Sequence, residues 1–336
     1  MKALVCNQYG PPENLVVNDI PSPTPSVGDV IIDVIGAAVN FPDLLVIENK
    51  YQIQPPLPFS PGSEVVGIIS AIAEGVEHLK VGDRVIGLCL TGGFREQISI
   101  SALACIKIPD DISFRNAATL GLAYGTTIYA LKDRANIQPQ DTLLVTGASG
   151  GVGLAAVQIG KAMGATVIAA ASSNEKLNIC KQHGATHLLK YAKQLDDKES
   201  QRNFSKQIKS FGTGGVDVVY DPLGGNYAEP AIRTMNWNGR YLVVGFATGQ
   251  IPSIPMNLPL LKGCSLSGVF WGEFVKRHPE LNQANFEYLF ELIRNKALTP
   301  HIASVYPLEQ TPQALYQLQS RTSSGKILIA VDSNRI

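Results

Sequence analysis

The feature that most constrains this chain is a glycine-rich turn between two apolar segments. It spans Asp141–Gly153 and reads D-T-L-L-V-T-G-A-S-G-G-V-G. The run Leu143–Val145 is typical of a strand covered on both faces. From Gly147 onward glycine recurs every third residue, which permits a tight turn, close approach of backbone to a ligand and close helix–strand packing. The helix predicted at Leu154–Met163 directs free N–H groups at a phosphate, so the pattern predicts a dinucleotide-binding turn.

The residues after the next predicted strand, Thr166–Ala171, indicate which dinucleotide is bound. NAD-selective sites usually carry an acidic residue at the end of this strand, which binds the ribose 2′-hydroxyl. Here the strand is followed by S-S-N-E-K, in which Ser173 leaves room for a 2′-phosphate and Lys176 supplies a positive charge. A first-turn lysine is unfavourable for the helix dipole unless an anion lies nearby. We therefore expect NADPH, and Glu175 leaves open the alternative of an acid on the ribose.

The composition argues against several functional classes. The chain has 28 Lys and Arg residues and 28 Asp and Glu residues, and this zero net charge is not typical of nucleic-acid or membrane-surface proteins. No apolar run approaches the ~18 residues of a membrane span, and the N-terminus lacks the apolar stretch of a signal peptide. Five dispersed cysteines without a C-x-x-C pair indicate reduced thiols. We therefore expect a cytoplasmic protein without nucleic-acid or membrane partners.

The pattern of elements changes along the chain. The first 110 residues read as short β-strands broken by Gly and Pro, of which the clearest are Asp29–Val39, Glu64–Ala73, Asp83–Leu88 and Glu96–Ile100. Strands and helices then alternate, which predicts a parallel sheet with helices on both faces. A helix is predicted at Ala284–Asn295, and a last strand, Lys326–Val331, is expected to return to the first domain. The predicted fold class is α/β, with a β-rich domain and an inserted doubly wound sheet.

Short motifs follow one another along nearly the whole chain. They are V-N-F-P-D at 39–43, P-G-S-E-V-V-G at 61–67, K-V-G-D-R-V at 80–85, G-G-F-R-E at 92–96, A-Y-G-T-T at 123–127, D-P-L-G-G at 221–225, G-F-A-T-G at 245–249 and S-G-K-I-L-I at 324–329. Together with the glycine-rich turn, they resemble the medium-chain dehydrogenase/reductase superfamily, and more closely its zinc-free quinone oxidoreductase (zeta-crystallin-like) branch.

The resemblance implies a domain arrangement and an assembly. A GroES-like catalytic domain is expected at residues 1–122 and 262–336, and a Rossmann NADPH-binding domain at residues 123–261. A homodimer is expected to form by pairing of the strand near Ser265–Val269 with its copy. Without such pairing this strand would present an exposed sheet edge.

The positions that bind catalytic zinc elsewhere in the superfamily carry different residues here. Asn40 stands at the first ligand position, and Ser63, followed by Glu64, stands at the second. Neither an amide nor a hydroxyl is a usual zinc ligand. Cys89 and Cys105 alone occupy the region in which a structural zinc site requires four cysteines, and the five histidines lie outside these motifs. We therefore expect an enzyme without a metal.

Without a metal, the expected chemistry is direct hydride transfer from the nicotinamide to a quinone, whose distant carbonyl needs only hydrogen bonds. Reduction of an activated alkene (a 2-alkenal, an enone or an enoyl thioester) remains an alternative, as does a non-catalytic NADPH-binding protein. The resemblance implies Asn40, Asp43 and Tyr51 as catalytic residues. Asn40 is expected to bond the substrate carbonyl or a ribose hydroxyl, Asp43 to orient a neighbour, and Tyr51 to donate or stack. Roles as a turn residue, a helix cap and a surface aromatic remain open for them.

The resemblance also implies a set of cofactor-binding residues. Those expected around the nicotinamide half are Tyr124, Thr127, Gly245, Phe246, Ala247, Phe270, Trp271 and Gly272. Those expected at the phosphates are Ser149, Gly150, Gly151 and Val152 for the pyrophosphate, Ser173 and Lys176 for the 2′-phosphate, and Arg321 and Lys326 as further cationic candidates. Ordinary core packing remains the alternative for Phe246 and Phe270.

Overall fold

The structure is a computed structural model that describes residues 1–192, 195–211 and 214–336. The chain divides into two compact units, the first formed by Met1–Leu122 with Pro300–Ile336 and the second by Ala123–Thr299. The chain therefore returns to the first unit at Pro300, whereas the expected domain boundary lies at residue 262. The reason is that the strand Ser265–Gly268 pairs within the sheet of the second unit, and the helix that follows also packs within that unit.

The first unit consists mainly of β-strands. They are β1 (Lys2–Cys6), β2 (Leu15–Asp19), β3 (Asp29–Val39), β4 (Glu64–Ile72), β5 (Arg84–Leu88), β6 (Gln97–Ser101), β7 (Cys105–Lys107), β14 (Ile302–Pro307) and β15 (Lys326–Ala330). The strands β1 and β2 form an antiparallel pair, while a larger sheet has the order β14-β15-β3-β4-β5-β7, with β6 also paired to β3. Because β15 lies antiparallel to β3, the C-terminal segment completes this sheet.

Three helices accompany the strands of the first unit. They are α1 (Phe41–Ile47), α2 (Phe114–Thr119) and α11 (Thr311–Gln319). The core between the sheet and α11 includes Ile32, Leu315 and Ile329, which are fully buried. The long strand β3 is buried along most of its length because it pairs with β4, β6 and β15, so it fixes the register of the whole sheet.

The second unit is built around one parallel sheet. Its strands are β8 (Thr142–Val145), β9 (Thr166–Ala171), β10 (His187–Lys190), β11 (Val216–Asp221), β12 (Met235–Val243) and β13 (Ser265–Gly268). They lie in the order β10-β9-β8-β11-β12-β13, and every neighbouring pair is parallel. This is the order of doubly wound dinucleotide-binding sheets, in which ligands bind where the order reverses, here between β8 and β11. The predicted α/β fold class is confirmed.

Helices cover the sheet of the second unit. They are α3 (Gly125–Ile128), α4 (Gly151–Ala162), α5 (Asn174–Gln182), α6 (Lys198–Lys209), α7 (Ala228–Ile232), α8 (Asn257–Lys262), α9 (Trp271–Arg277) and α10 (Pro279–Arg294). π-Helical segments at Leu120–Tyr124 and Tyr129–Arg134 flank α3. Among the described residues no helix has both the length and the apolar character needed to cross a bilayer.

The observed elements differ from the predicted ones in two places. The sequence predicts a helix over Tyr227–Met235 and a strand from Arg240, whereas the helix ends at Ile232 and β12 already begins at Met235. It also predicts a mostly irregular segment after residue 260, where the structure contains β13 and α9. These short elements lack a periodic apolar pattern of their own, and pairing with the neighbouring sheet decides their conformation.

Substitution of Gly153 by alanine is expected to lower the free energy of unfolding by about 1–3 kcal/mol. An added Cβ would lie 2.2 Å from the carbonyl oxygen of Gly147, so backbone would have to move. The matched control is Gly272→Ala in the same unit, where an added Cβ meets nothing within 4 Å. Urea unfolding measures both variants, and equal stability of Gly153→Ala and wild type would contradict the close helix–strand packing.

Candidate functional site

The glycine-rich turn has the geometry that its sequence predicts. It leaves the end of β8 and enters α4, whose N-cap is Gly150. Gly147 has a φ of 56°, a left-handed conformation that favours glycine. Because Gly153 has no side chain, the start of α4 packs directly against the Gly147 carbonyl.

The N-terminus of α4 offers hydrogen-bond donors to an anion. Within the described chain no side chain caps this helix, and Leu154 donates to the Gly150 carbonyl at 2.7 Å. The N–H groups of Gly151 and Val152 precede that bond, and both residues are half-buried, whereas Ser149 is buried. The positive end of the helix dipole lies at the same place. This arrangement fits a pyrophosphate.

The two residues predicted at the 2′-phosphate lie together at the start of α5. Ser173 is the N-cap, and its hydroxyl accepts from the Lys176 backbone N–H at 3.3 Å. The same hydroxyl donates to the Glu175 carboxylate, and this bond lowers the pKa of Glu175. Lys176 is half-buried and Glu175 is exposed. The end of β9 therefore carries both the cation and the acid that the sequence placed there.

A buried carboxylate organises the neighbouring edge of the sheet. Asp221 ends β11 and accepts hydrogen bonds from the hydroxyls of Thr146 and Tyr241 and from the backbone N–H groups of Leu223 and Gly224. Burial, followed by the charge of Asp221, raises the pKa of Tyr241. Asp221 thus holds the D-P-L-G-G turn beside the glycine-rich turn. The sequence D-P at 221–222 by itself predicts only a turn before the proline.

The three residues predicted at the end of the last long strand lie at this same edge. Gly245 and Ala247 donate backbone hydrogen bonds to the carbonyls of Asp221 and Pro222, at 3.4 Å and 3.0 Å. Both residues and Phe246 between them are half-buried. The segment is therefore tied to the Asp221 turn and keeps part of its surface accessible.

Tyr124 and Thr127, predicted near the nicotinamide, lie inside the second unit. The Thr127 hydroxyl is fully buried and donates to the Ala123 carbonyl at 2.8 Å, with the Tyr220 hydroxyl at 2.9 Å. The Tyr124 hydroxyl accepts from the Gln158 amide at 3.0 Å. Thr127 is therefore buried in the second unit, and its expected contact with the cofactor stays a prediction.

Of the two aromatic residues predicted to cover the nicotinamide, Trp271 lies in the interior of the second unit and Phe270 lies at its surface. Trp271 is buried, donates through its indole N–H to Asn282 at 3.1 Å, and occupies the space that a Cβ on Gly125 would need. It therefore packs inside the second unit, and its expected contact with the nicotinamide ring stays a prediction. Phe270 and Gly272 on either side are exposed, so ordinary core packing does not describe Phe270.

The first unit holds a buried polar group that we call the Asn40 cluster. Its members are Asn40, Asp43, Ser63, Glu64 and Lys326. The Lys326 ammonium is 4% exposed and donates to Asn40 Oδ1 at 2.6 Å, to Glu64 Oε1 at 3.0 Å and to a backbone carbonyl at 3.4 Å. All three of its N–H groups are therefore used inside the unit. The contact of Lys326 with a cofactor phosphate stays a prediction.

Asn40 connects the members of the cluster. Its Oδ1 accepts from Lys326, while its Nδ2 donates to Glu64 Oε1 at 2.7 Å and to Ser63 Oγ at 3.3 Å. The side-chain amide is therefore engaged at both ends. The other carboxylate oxygen of Glu64 accepts from the backbone N–H of Leu122 at 2.7 Å. The cluster thus reaches Leu122, the last residue of the first unit before the chain enters the second unit.

Asp43 is the buried acid of the cluster. It lies in the first turn of α1 and accepts from the Asn40 backbone N–H at 2.8 Å. Burial raises the pKa of Asp43 to about 7, although hydrogen bonds from the Asn40 backbone and the Ser63 hydroxyl, and then the Lys326 charge, act in the opposite direction. Helix capping, which the sequence left open for this residue, is one of its roles.

Tyr51 and Arg321 are the remaining predicted residues of the first unit. Tyr51 is half-buried against the core, and burial followed by the charge of Asp43 raises the pKa of its phenol. Its phenol therefore stays protonated at neutral pH and is available as a hydrogen-bond donor. Arg321 is exposed in the loop after α11, with a φ of 56°.

The cluster contains residues that sequence reasoning did not assign. The sequence indicates Glu64 only as the neighbour of Ser63, and the family resemblance implies Lys326 as a cationic candidate at the phosphates. Their contact joins residues 262 positions apart, and no local pattern signals it. In the described chain, no three His, Cys, Asp or Glu residues come together as a group that could hold a metal ion.

Comparison with known proteins matches both units. Residues 26–110 match the alcohol dehydrogenase GroES-like domain family, and residues 151–293 match the family described as zinc-binding dehydrogenase. A quinone oxidoreductase-like protein 2 homolog from Nematostella vectensis is 36% identical over 333 residues, which cover 98% of this chain and 88% of that protein.

Solved structures resemble the chain over almost its full length. Escherichia coli quinone oxidoreductase complexed with NADPH has a TM-score of 0.88 at 26% identity, covering 98% of this chain and 100% of that one. A mycobacterial protein complexed with NADPH has a TM-score of 0.90 at 29% identity, with coverage of 98% and 100%.

Replacing Lys326 by methionine is expected to lower the free energy of unfolding by about 3–5 kcal/mol, because Glu64 would remain buried without its cation. Adding Glu64→Gln to this variant is expected to restore part of the loss. The control, Lys2→Met, breaks the exposed ion pair with Glu309 and is expected to change little. Urea unfolding compares the three variants, and a Lys326→Met loss no larger than that of Lys2→Met would contradict a stabilising role for the cluster.

Asp43 predicts a pH dependence of stability. Because its folded-state pKa lies at about 7, above that of an unfolded chain, the folded protein holds this proton more tightly. The stability from this group is therefore present at low pH and lost as the pH rises through about 7. The difference in unfolding free energy between wild type and Asp43→Asn is expected to shift against wild type from about pH 4 to about pH 8. Parallel pH profiles of the two proteins would show that Asp43 does not titrate in this range.

Proposed function

We propose that this chain, which belongs to the medium-chain dehydrogenase/reductase superfamily and to its zinc-free quinone oxidoreductase branch, is an NADPH-dependent reductase that delivers hydride to a quinone. The GroES-like and Rossmann folds of the two units are those of this superfamily. NADPH, when bound, supplies the hydride. The residues of this chain bind the cofactor, orient the substrate and stabilise the charge that develops on it.

The observation that carries the proposal is the composition of the Asn40 cluster. At the two positions where zinc enzymes of the superfamily place ligands, this chain has an amide and a hydroxyl, and both are already bonded to neighbouring side chains. Oxidation of an alcohol needs a Lewis acid or a strong base on the oxygen. A quinone accepts hydride more readily, because hydrogen bonds to its other carbonyl stabilise the developing charge.

The roles proposed for the cofactor residues follow from their accessibility. The N–H groups of Gly151 and Val152 bind the pyrophosphate at the positive end of α4, where Ser149 and Gly150 line the same turn. Ser173 and Lys176 bind the 2′-phosphate at the end of β9. Residues proposed for the nicotinamide half are Gly245, Phe246, Ala247, Phe270, Gly272 and Tyr124, and Arg321 is a further cationic candidate for a phosphate.

Tyr51 is the proposed hydrogen-bond donor to the substrate oxygen. Its raised phenol pKa keeps the proton in place at neutral pH. Asn40 and Asp43 act as positioning residues, because their polar atoms are engaged within the cluster. Hydride addition to one end of the conjugated system and a proton taken up from solvent complete the two-electron reduction to the hydroquinone.

NADPH oxidation across a substrate panel tests the function. The panel contains 1,4-benzoquinone, 9,10-phenanthrenequinone, a 2-alkenal and crotonyl-CoA, each with and without a chelator. Turnover of the quinones, unaffected by the chelator and slower with NADH, is the expected result. Faster turnover of the alkenal or the thioester would instead assign an activated-alkene reductase. NADPH binding without turnover would assign a non-catalytic NADPH-binding protein.

Lys176→Gln is expected to raise the KM for NADPH about tenfold, because a charge-assisted bond to the 2′-phosphate is lost. The KM for NADH, which has no 2′-phosphate, is expected to change little. Lys181→Gln on the same helix is the matched control, since Lys181 is exposed in the last turn of α5. Equal effects of Lys176→Gln on both cofactors would contradict a 2′-phosphate contact.

We further propose a cytoplasmic homodimer in which β13 pairs with its copy. Within the described chain β13 pairs on one side only, with β12, and the nearby side chains of Trp237, Leu260 and Leu261 are exposed. All five cysteines are free thiols, as expected in a reducing compartment. Light scattering is expected to give twice the 36.0 kDa of one chain, and Leu266→Asp on β13 is expected to lower that mass. A wild-type mass of one chain would contradict the dimer.

A further inference from the structure

Arg95 is a cation that lacks a counter-charge among the described residues of the first unit. It lies in the G-G-F-R-E motif and is half-buried. Its Nε is buried without a hydrogen-bond partner, and none of the described carboxylates forms an ion pair with its guanidinium. The adjacent carboxylate, that of Glu96, accepts from the Lys2 backbone N–H at 2.7 Å instead. Burial lowers the pKa of Arg95, which shows that its surroundings disfavour the charge.

The backbone holds Arg95 in place. Gly93 donates to the Gly62 carbonyl and Phe94 to the Pro61 carbonyl, each at 3.0 Å, and the Phe94 ring is fully buried. An added Cβ on Gly92 would lie 2.8 Å from Nη2 of Arg95. The glycine therefore leaves the space that the guanidinium occupies.

The G-G-F-R-E segment at 92–96, which carries Arg95, is joined to the Asn40 cluster through residues 61–64. Gly62, which binds the loop, directly precedes Ser63 and Glu64 of the cluster. Cys89 also binds this segment. Its backbone N–H donates to the Ser63 carbonyl at 3.0 Å, and its thiol donates to the Gly62 carbonyl at 3.4 Å. Burial raises the pKa of this thiol, and the charges of both Arg95 and the cluster act on it. Arg95 and the cluster thus share one neighbourhood of the first unit.

An arginine in this setting is costly unless a ligand supplies the anion. A partly desolvated charge without a partner lowers stability, as does a buried N–H donor without an acceptor. The planar guanidinium presents paired N–H groups that match the two oxygens of a carboxylate or a sulfonate. A purely structural role, with the aliphatic stem packed on the core, would not require the charged end.

We propose that Arg95 binds an anionic substituent of the substrate, so that the preferred quinones and enones carry a carboxylate or sulfonate group. This proposal rests on the proposed function and names the substrate class of the same site. Neutral quinones of the same size remain substrates but lack this contact.

A matched pair of substrates tests the proposal. The KM ratio of 1,2-naphthoquinone-4-sulfonate to 1,2-naphthoquinone is measured for wild type, Arg95→Met, Arg95→Lys and Arg115→Met. Arg95→Met is expected to raise this ratio about tenfold, as loss of a charge-assisted bond does, and Arg95→Lys to raise it less. Arg115 is exposed on α2, and Arg115→Met removes the same charge from the same unit, so this variant is expected to keep the wild-type ratio. An unchanged ratio in Arg95→Met, or an equal change in Arg115→Met, would overturn the proposal.

A binding measurement keeps the proposal separate from the proposed function. Calorimetry compares 2-naphthoate with the neutral 2-naphthamide, which needs no turnover. Tighter binding of the carboxylate by wild type, lost in Arg95→Met, would support the anion site even if no quinone were reduced. Equal binding of the two ligands by wild type, or no binding of either, would overturn it. Thermal unfolding of Arg95→Met at or above the wild-type temperature is expected as well, because an unpaired charge has been removed.

Discussion

The buried ion pair between Lys326 and Glu64 is the interaction on which the first unit depends. It joins the first residue of β15 to the first residue of β4, and Asn40 at the end of β3 bridges them. Two charges taken out of water require full hydrogen bonding, and here each ammonium proton and both carboxylate oxygens have partners. The C-terminal strand, the long central strand and the end of the first crossover at Leu122 are thereby held by a single group.

The same cluster limits the chemistry of the unit. An asparagine and a serine stand at the positions of zinc ligands and bond to each other, and the asparagine also bonds to the charged pair, so the donor set that a metal prefers is replaced by a polar network. Asp43 beneath this network is held in an environment that favours its protonated form. The groups of the first unit that we propose for substrate binding, the phenol of Tyr51 and the guanidinium of Arg95, lie outside this network.

In the second unit, too, residues that keep accessible surface can be distinguished from residues that pack in the interior. Residues that keep accessible surface lie at the N-terminus of α4 and just beyond the carboxyl ends of β9 and β12, the edge at which parallel sheets bind ligands. Thr127 and Trp271, which motif similarity suggests for the cofactor, also form hydrogen bonds inside this unit. Short motifs identify the neighbourhood of a site, but the side chains that face the ligand depend on how the helices pack.

The sequence by itself determined the dinucleotide turn, the alternation of strands and helices, the bounds of β3 and β9 and the loss of the zinc ligands, because each depends on residues close together in the chain. Only the tertiary structure decided that residues 262–299 belong to the second unit, that Lys326 pairs with Glu64 and that no described carboxylate pairs with Arg95. The contact of Lys326 follows from strand register, because β15 places Ile327 opposite Val39 on β3, which brings Lys326 to Asn40. Such contacts join residues hundreds of positions apart, and no local pattern of residues encodes them.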